Sequence, residues 1–105
     1  MEVIQVILHT EMRLYDEKDI IFGKDDLGLF ANLELADKFI EAEAEKELAK
    51  ATMNADGAWI GAYPKEDDVS ENHVCERMQI MIEKRKEGDT YIYTYLVQKR
   101  IIQEA

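Results

Sequence analysis

Apolar and polar residues alternate in two runs that make up most of the last third of the chain, residues 74–85 and 90–102. Successive side chains of a strand point to opposite faces, so this alternation is typical of β-strands. The residues between the two runs, 86–89, include Gly88 and have the composition of a tight turn. The pattern therefore predicts a long β-hairpin.

This hairpin is large for the chain that carries it. At roughly 3.3 Å per residue each arm extends about 40 Å, whereas a compact chain of this length is only about 33 Å across. The middle of the second arm, residues 91–97, contains no charged residue. An uncharged edge strand would invite aggregation. We therefore expect residues 91–97 to form a central strand, or to pair with a second copy of the chain across a two-fold axis.

A helix is the alternative for residues 69–87. Asp68 and Glu71 have the spacing of a capping box, and Gly88 suits the position after a helix C-terminus. A helical stripe would contain Val74, Cys75, Met78, Met81 and Ile82. Ile80 falls off that stripe but fits the alternation of a strand, so the strand is favoured and the helix stays open.

A helix is predicted over residues 33–51. Asn32 is a good N-cap residue immediately before a segment of strong helix formers. Apolar residues recur there at spacings of three and four, which places them on one side of a helix about 28 Å long. This stripe consists of Leu33, Ala36, Ile40, Ala44, Leu48 and Ala51, and Phe39 widens it.

Three shorter apolar segments predict the remaining strands. The first begins at Val3, the second runs over residues 20–22 and resumes over 27–31 through a bulge, and the third covers 58–63 before Pro64. The resulting order is β-β-α-β-β-β. It predicts an α+β two-layer sandwich in a single domain, residues 1–105, with one long helix on a mostly antiparallel sheet of four to five strands.

Composition narrows the possible partners and the compartment. The chain has 23 acidic and 13 basic residues, for a net charge of −10. Phosphate backbones and anionic membrane surfaces repel such a chain, so direct nucleic-acid or membrane binding is not expected. Cys75 is the only cysteine, and no signal peptide is apparent. We expect a cytoplasmic protein.

No motif in the sequence indicates catalysis or a cofactor, and no cofactor or metal is expected. His73 and Cys75 are two residues apart and would share a strand face, but a zinc site needs three or four ligands. Trp59 lies between two glycines, with Tyr63 shortly after it. Trp59, Tyr63, His73 and Cys75 are therefore the candidates for a small pocket.

The tyrosines of the second hairpin arm are the main interface candidates. Tyr91, Tyr93, Tyr95 and Val97 occupy one face of that strand, and Ile92 begins an opposite face that is equally able to pack on the helix. Tyrosine is enriched at interfaces because it combines rigid contact area with a polar tip. The pattern is equally compatible with an interface and with a tyrosine-rich core at this face.

Three functions follow from these patterns. The first is a non-enzymatic protein that acts through protein–protein contact, self-associating as a homodimer through the hairpin. The second is an acidic inhibitor that occupies a basic, nucleic-acid-binding surface of another protein, and it rests on the net charge and on Glu41, Glu43, Glu45 and Glu47. The third is a small ligand-binding module or enzyme around the Trp59, His73 and Cys75 pocket.

Overall fold

A computed structural model describes residues 1–61 and 69–103. In these residues one helix packs on a five-stranded antiparallel sheet, which confirms the α+β fold. The elements are β1 (Glu2–Arg13), β2 (Ile21–Phe30), α1 (Leu33–Met53), β3 (Gly57–Gly61), β4 (Cys75–Lys84) and β5 (Asp89–Ile101). The strand order across the sheet is β2-β1-β5-β4-β3.

The hairpin is confirmed, and β5 is the central strand. On one side β5 pairs with β4, and on the other it pairs with β1 along nearly its whole length, from Glu2↔Ile101 to Arg13↔Thr90. The helix alternative for residues 69–87 was wrong, because the backbone of β4 bonds to its neighbours instead of to itself. The long hairpin is thus covered by the first strand of the same chain, and the molecule is elongated, 51 × 27 × 26 Å.

The bulge expected in the second strand is present. Val6 pairs with Gly28 and Ile7 pairs with Asp26, so that Leu27 is the extra residue of β2. Gly28 has φ +128°, a backbone conformation that L side chains rarely adopt. The bulge lets Leu27 pack against the core as a partly buried residue.

The helix begins at its predicted cap and buries its predicted stripe. The Asn32 side chain accepts a hydrogen bond of 2.9 Å from the backbone N–H of Leu35, as an N-cap does. The helix ends at Met53, two residues later than expected. Its buried residues are Ala36, Ile40, Ala44 and Ala51, and Leu33, Phe39 and Leu48 are partly buried against the core.

The tyrosine ladder faces the helix. Val97 pairs with Val6, and Tyr95 pairs with Leu8, so these side chains share the face of the sheet that α1 covers. Tyr95 is 1% exposed and Val97 is fully buried. Tyr91 and Tyr93 are partly buried against the same core. Tyr95 and Val97 are therefore core residues of a single chain, out of reach of a second copy.

Candidate functional site

A row of side chains crosses all five strands on the face of the sheet that lies away from α1, here called the helix-free face. The strand register places one residue of each strand at the same level: Trp59, Met81, Ile92, Glu11 and Phe22, in that order across the sheet. We call this set the cross-strand row. Four of its five members are apolar, with an aromatic residue at each end.

The cross-strand row is strongly exposed. Phe22 has 72% of its surface exposed, Trp59 has 49% and Met81 has 39%. Single exposed apolar residues are common on soluble proteins, but contiguous ones mark contact surfaces. The row is contiguous because neighbouring strands lie only about 4.8 Å apart.

A polar row lies one level further along the same face. It contains Gln79, Thr94, His9 and Lys24, one from each of four adjacent strands. The Gln79 amide donates a hydrogen bond of 3.1 Å to the Thr94 hydroxyl. Between this row and the cross-strand row the sheet forms a depression of about 530 Å³, lined by residues of β1, β2, β4 and β5. The helix-free face is therefore concave and mixed in chemistry at this level.

In the half of this face away from the hairpin turn, several apolar residues are buried. Ile7 and Leu96 lie opposite each other on β1 and β5, and they are only 4% and 5% exposed. Val3, further along β1, is 6% exposed. Three apolar residues are thus buried in this half, whereas Leu29 on β2, which pairs with Gln5, is 53% exposed.

The position of Trp59 depends on the glycine two residues before it. A Cβ atom built on Gly57 would lie 2.7 Å from Cη2 of the Trp59 indole and 3.2 Å from a guanidinium nitrogen of Arg85. No real side chain tolerates so short a contact, so only glycine lets the indole lie back against its own strand. Gly57 thereby holds a large aromatic surface on the helix-free face.

Charge is nearly balanced on the helix-free face. Among the described strand residues, its acids are Glu11, Asp26, Glu76 and Glu83, and its bases are Arg13, Lys24 and Arg100. Their net charge of −1 contrasts with −10 for the chain. Nearly all the excess negative charge therefore lies elsewhere on the molecule.

The three pocket candidates that the structure describes, Trp59, His73 and Cys75, do not come together. Trp59 lies on the helix-free face, whereas Cys75 pairs with Val97 on the helix-covered face and is 2% exposed. His73 is exposed and forms an isolated bridge with Ser70 before β4 begins. Tyr63 lies outside the described residues. Of the three candidates that the structure describes, Trp59 alone lies on the helix-free face.

Two of the helix glutamates face the tyrosines. Burial is the main cause that raises the pKa of Tyr95 to about 12, and the nearby carboxylates of Glu47 and Glu43 act in the same direction. Glu41 and Glu45 are exposed, on the other side of the helix. The four helix glutamates therefore do not form one acidic surface for a basic partner.

Exposed ion pairs also neutralise part of the negative charge of the helix. Lys46 bonds to Glu43 at 3.2 Å and Lys50 bonds to Glu47 at 3.4 Å. Such pairs, three residues apart on a helix surface, are ordinary features of a solvated helix. They lessen the support for an inhibitor that mimics a polyanion.

Two further kinds of site are absent from residues 1–61 and 69–103. In these ranges no group of three or more His, Cys, Asp or Glu side chains is arranged to hold a metal ion. Among the same residues, no helix is long and apolar enough to cross a membrane.

The cross-strand row was missed at the level of sequence. Alternation within each strand was visible, and Ile92 was recognised as facing away from the tyrosines. The alignment of Phe22, Glu11 and Met81 with it depends on the register between strands, which no local pattern reveals. Only the exposed Trp59, between two glycines, offered a signal.

Comparison of the chain with protein families, with characterised proteins and with solved structures finds no match. Its function therefore has to be inferred from the geometry of the helix-free face.

Proposed function

We propose that this protein is a small non-enzymatic protein that acts through protein–protein contact and self-associates through the helix-free face of its sheet. The observation that carries the proposal is the cross-strand row, which leaves Trp59, Met81 and Phe22 exposed side by side with Ile92. The hairpin contributes Met81 and Ile92. Its contact face is the one opposite to the tyrosines.

The chemistry of the row is that of a contact surface. Aromatic residues and methionine are enriched at protein interfaces, and charged residues are depleted at their centres. Covering apolar surface stabilises a complex by about 25 cal/mol per Å². The charged member of the row, Glu11, already has an internal partner, because its carboxylate pairs with Arg13 at 3.1 Å. Contact with apolar groups at this point does not leave a lone charge.

The distribution of charge supports a second copy as the partner. Two chains of net charge −10 repel each other in most orientations. Contact between helix-free faces is less repulsive, because the described strand residues there have a net charge of only −1. Face-to-face contact also keeps the acidic helices on opposite outer sides, where water and salt screen them from each other.

The size of the face predicts a weak complex. Five strands spaced about 4.8 Å apart give a width of about 24 Å, and three residue levels give a length of about 20 Å. Each copy therefore offers roughly 500 Å², or about 1,000 Å² for the pair, near the lower limit for a specific interface. We expect reversible association at micromolar or higher concentration.

Sedimentation velocity over roughly 1 to 500 μM tests the proposal. The wild-type chain is expected to change from monomer to dimer over this range. Phe22→Ser and Trp59→Ser should both remain monomeric, because each removes an exposed aromatic residue without opening the core. The matched control is Met53→Ser, since Met53 is 85% exposed at the end of α1, and it should associate like the wild type.

A wild-type chain that stays monomeric throughout this range would exclude self-association. Equal association of the wild type and both aromatic variants would show that copies meet through another surface.

A further inference from the structure

We infer that the two copies meet face to face about a two-fold axis parallel to β5, so that Trp59 of each copy packs against Phe22 of the other. The inference rests on the proposed function, because it requires association through the helix-free face. It specifies which residues of the two copies are in contact, which the exposed patch alone does not imply.

The cross-strand row is symmetrical about the central strand. Ile92 lies in the middle of the row on β5, and the aromatic residues Trp59 and Phe22 lie at its two ends on β3 and β2. A dimer of identical faces requires a two-fold axis in the plane of the interface. If this axis runs along β5, then β5 faces its own copy, β1 faces β4, and β2 faces β3. Ile92 then meets Ile92, and Trp59 meets Phe22.

This arrangement brings opposite charges of the two copies together at the level of the sheet nearest the hairpin turn. Arg13 and Glu83 both pair with Thr90, from its two sides, so they lie at the same level on β1 and β4. The axis along β5 places Glu83 of one copy opposite Arg13 of the other, and symmetry repeats the contact. Arg13 then lies between its own Glu11 and Glu83 of the second copy.

The polar row is also compatible with this axis. Gln79 of one copy lies opposite His9 of the other, which sets a hydrogen-bonding amide against an imidazole. Lys24 on β2 lies at the level of Gly61 on β3, because His9, Thr94 and Gln79 connect them across the sheet. The glycine leaves room for the long lysine side chain of the second copy.

A two-fold axis perpendicular to the strands is less favourable than the axis along β5. It would still place aromatic residues together, with Trp59 against Trp59. However, it moves the level of Arg13 and Glu83 onto the polar row of the other copy. Arg13 would then meet His9, and Glu83 would meet Gln79, so neither charge would gain an opposite partner. Charge complementarity therefore favours the axis along β5.

Cysteine cross-linking tests the axis without altering the cross-strand row. Lys24→Cys and Gly61→Cys are made in separate chains, one of which carries a mass tag. A Cβ atom on Gly61 would lie 3.6 Å from Gln79, an ordinary contact, so that variant fits the fold. A short bis-maleimide should link the two variants when they are mixed, and should link neither variant to itself. Wild-type chains provide the control for the buried Cys75.

Charge reversal provides a second measurement. Glu83→Arg should weaken self-association about fivefold, because it replaces an attraction to Arg13 of the second copy with a repulsion between two positive charges. Glu45→Arg makes the same change in net charge on the exposed side of α1, and it should not weaken association.

The outcomes separate the two proposals. Self-association in the sedimentation experiment without a mixed cross-link, or with equal effects of the two charge reversals, would overturn the axis and leave the contact face in place. Absence of self-association would overturn the proposed function itself.

Discussion

Asp37 on α1 and Arg77 on β4 form a two-point ion pair that joins the helix to the sheet. The Arg77 Nε lies 2.9 Å from Oδ1 of Asp37, and its Nη2 bonds to the other carboxylate oxygen. The Arg77 side chain is 2% exposed. Arg77 is the extra residue of a bulge, since Glu76 pairs with Leu96 and Met78 pairs with the next residue, Tyr95. The bulge permits a buried arginine within an otherwise alternating strand.

Removing one partner of this ion pair should destabilise the folded protein. Asp37→Ala removes a two-point carboxylate partner from a buried guanidinium, and we expect the free energy of unfolding to fall by about 3 kcal/mol. Urea denaturation followed by circular dichroism measures the change. The control is Glu34→Ala, because Glu34 forms an exposed pair with Lys38, and such pairs contribute less than about 0.5 kcal/mol. Equal losses in the two variants would show that the Asp37 pair does not hold the helix to the sheet.

The raised pKa of Tyr95 predicts that the fold loses stability at high pH. Its pKa is raised from 10.0 to about 12 in the folded chain, first by burial and then by Glu47 and Glu43. A raised folded-state pKa stabilises the fold below pH 10, and this contribution disappears as the pH rises through about 12. This contribution to the free energy of unfolding amounts to roughly 3 kcal/mol.

Urea denaturation between pH 8 and pH 12 (roughly the range over which tyrosine titrates) tests this dependence. Tyr95→Phe should lose less stability than the wild type as the pH rises. Tyr15→Phe alters a tyrosine that is 78% exposed, and its profile should match the wild type. Identical profiles for the wild type and Tyr95→Phe would contradict the prediction. Tyr93 has a pKa raised in the same direction by burial and by Glu47, so some dependence should remain.

Gly57→Ala should displace the indole of Trp59. The added methyl group would lie 2.7 Å from the ring, so the ring must move away from the strand. Trp59 is the single tryptophan, and its emission maximum and quenching by acrylamide report the change directly. Gly61→Ala is the control, because its Cβ makes only an ordinary contact. Unaltered emission in Gly57→Ala would mean that the glycine does not position the indole.

Gly88→Ala should destabilise the hairpin turn by about 1 kcal/mol. Gly88 has φ +76°, and a Cβ atom there would lie 3.1 Å from the Tyr15 ring. Thermal unfolding measures the loss. Gly23→Ala is the matched control, since its Cβ would lie 3.8 Å from Thr10, an ordinary contact. A loss no larger than that of Gly23→Ala would contradict the role of the left-handed turn residue.

Local periodicity predicted the helix and the strands, with a helix left open as the alternative over residues 69–87. The helix, its cap at Asn32 and its buried stripe follow from spacings of three and four, because a helix repeats every 3.6 residues. The bulge at Leu27 followed from a charged interruption between two apolar segments. The central position of β5 was one of the two outcomes predicted from its uncharged middle, the other being pairing with a second copy, since an exposed edge of that composition would aggregate.

The faces of the sheet were not predictable in the same way. Both faces of β5 carry apolar and polar residues, so alternation alone gives no sign of which side the helix covers. The helix docks over the tyrosines, and the carboxylates of its Glu47 and Glu43 help to raise the pKa of Tyr95. The opposite side, with Ile92, is thereby left without a helix.

The sequence by itself determined the helix and most of the strands, because those patterns depend on neighbours within one segment, but for residues 69–87 it left strand and helix both open. Only the tertiary structure decided the register that aligns Trp59 with Phe22 and the pairing of Asp37 with Arg77. Both relationships join residues from segments far apart in the chain. They arise when the whole sheet and helix pack together, and no single segment encodes them.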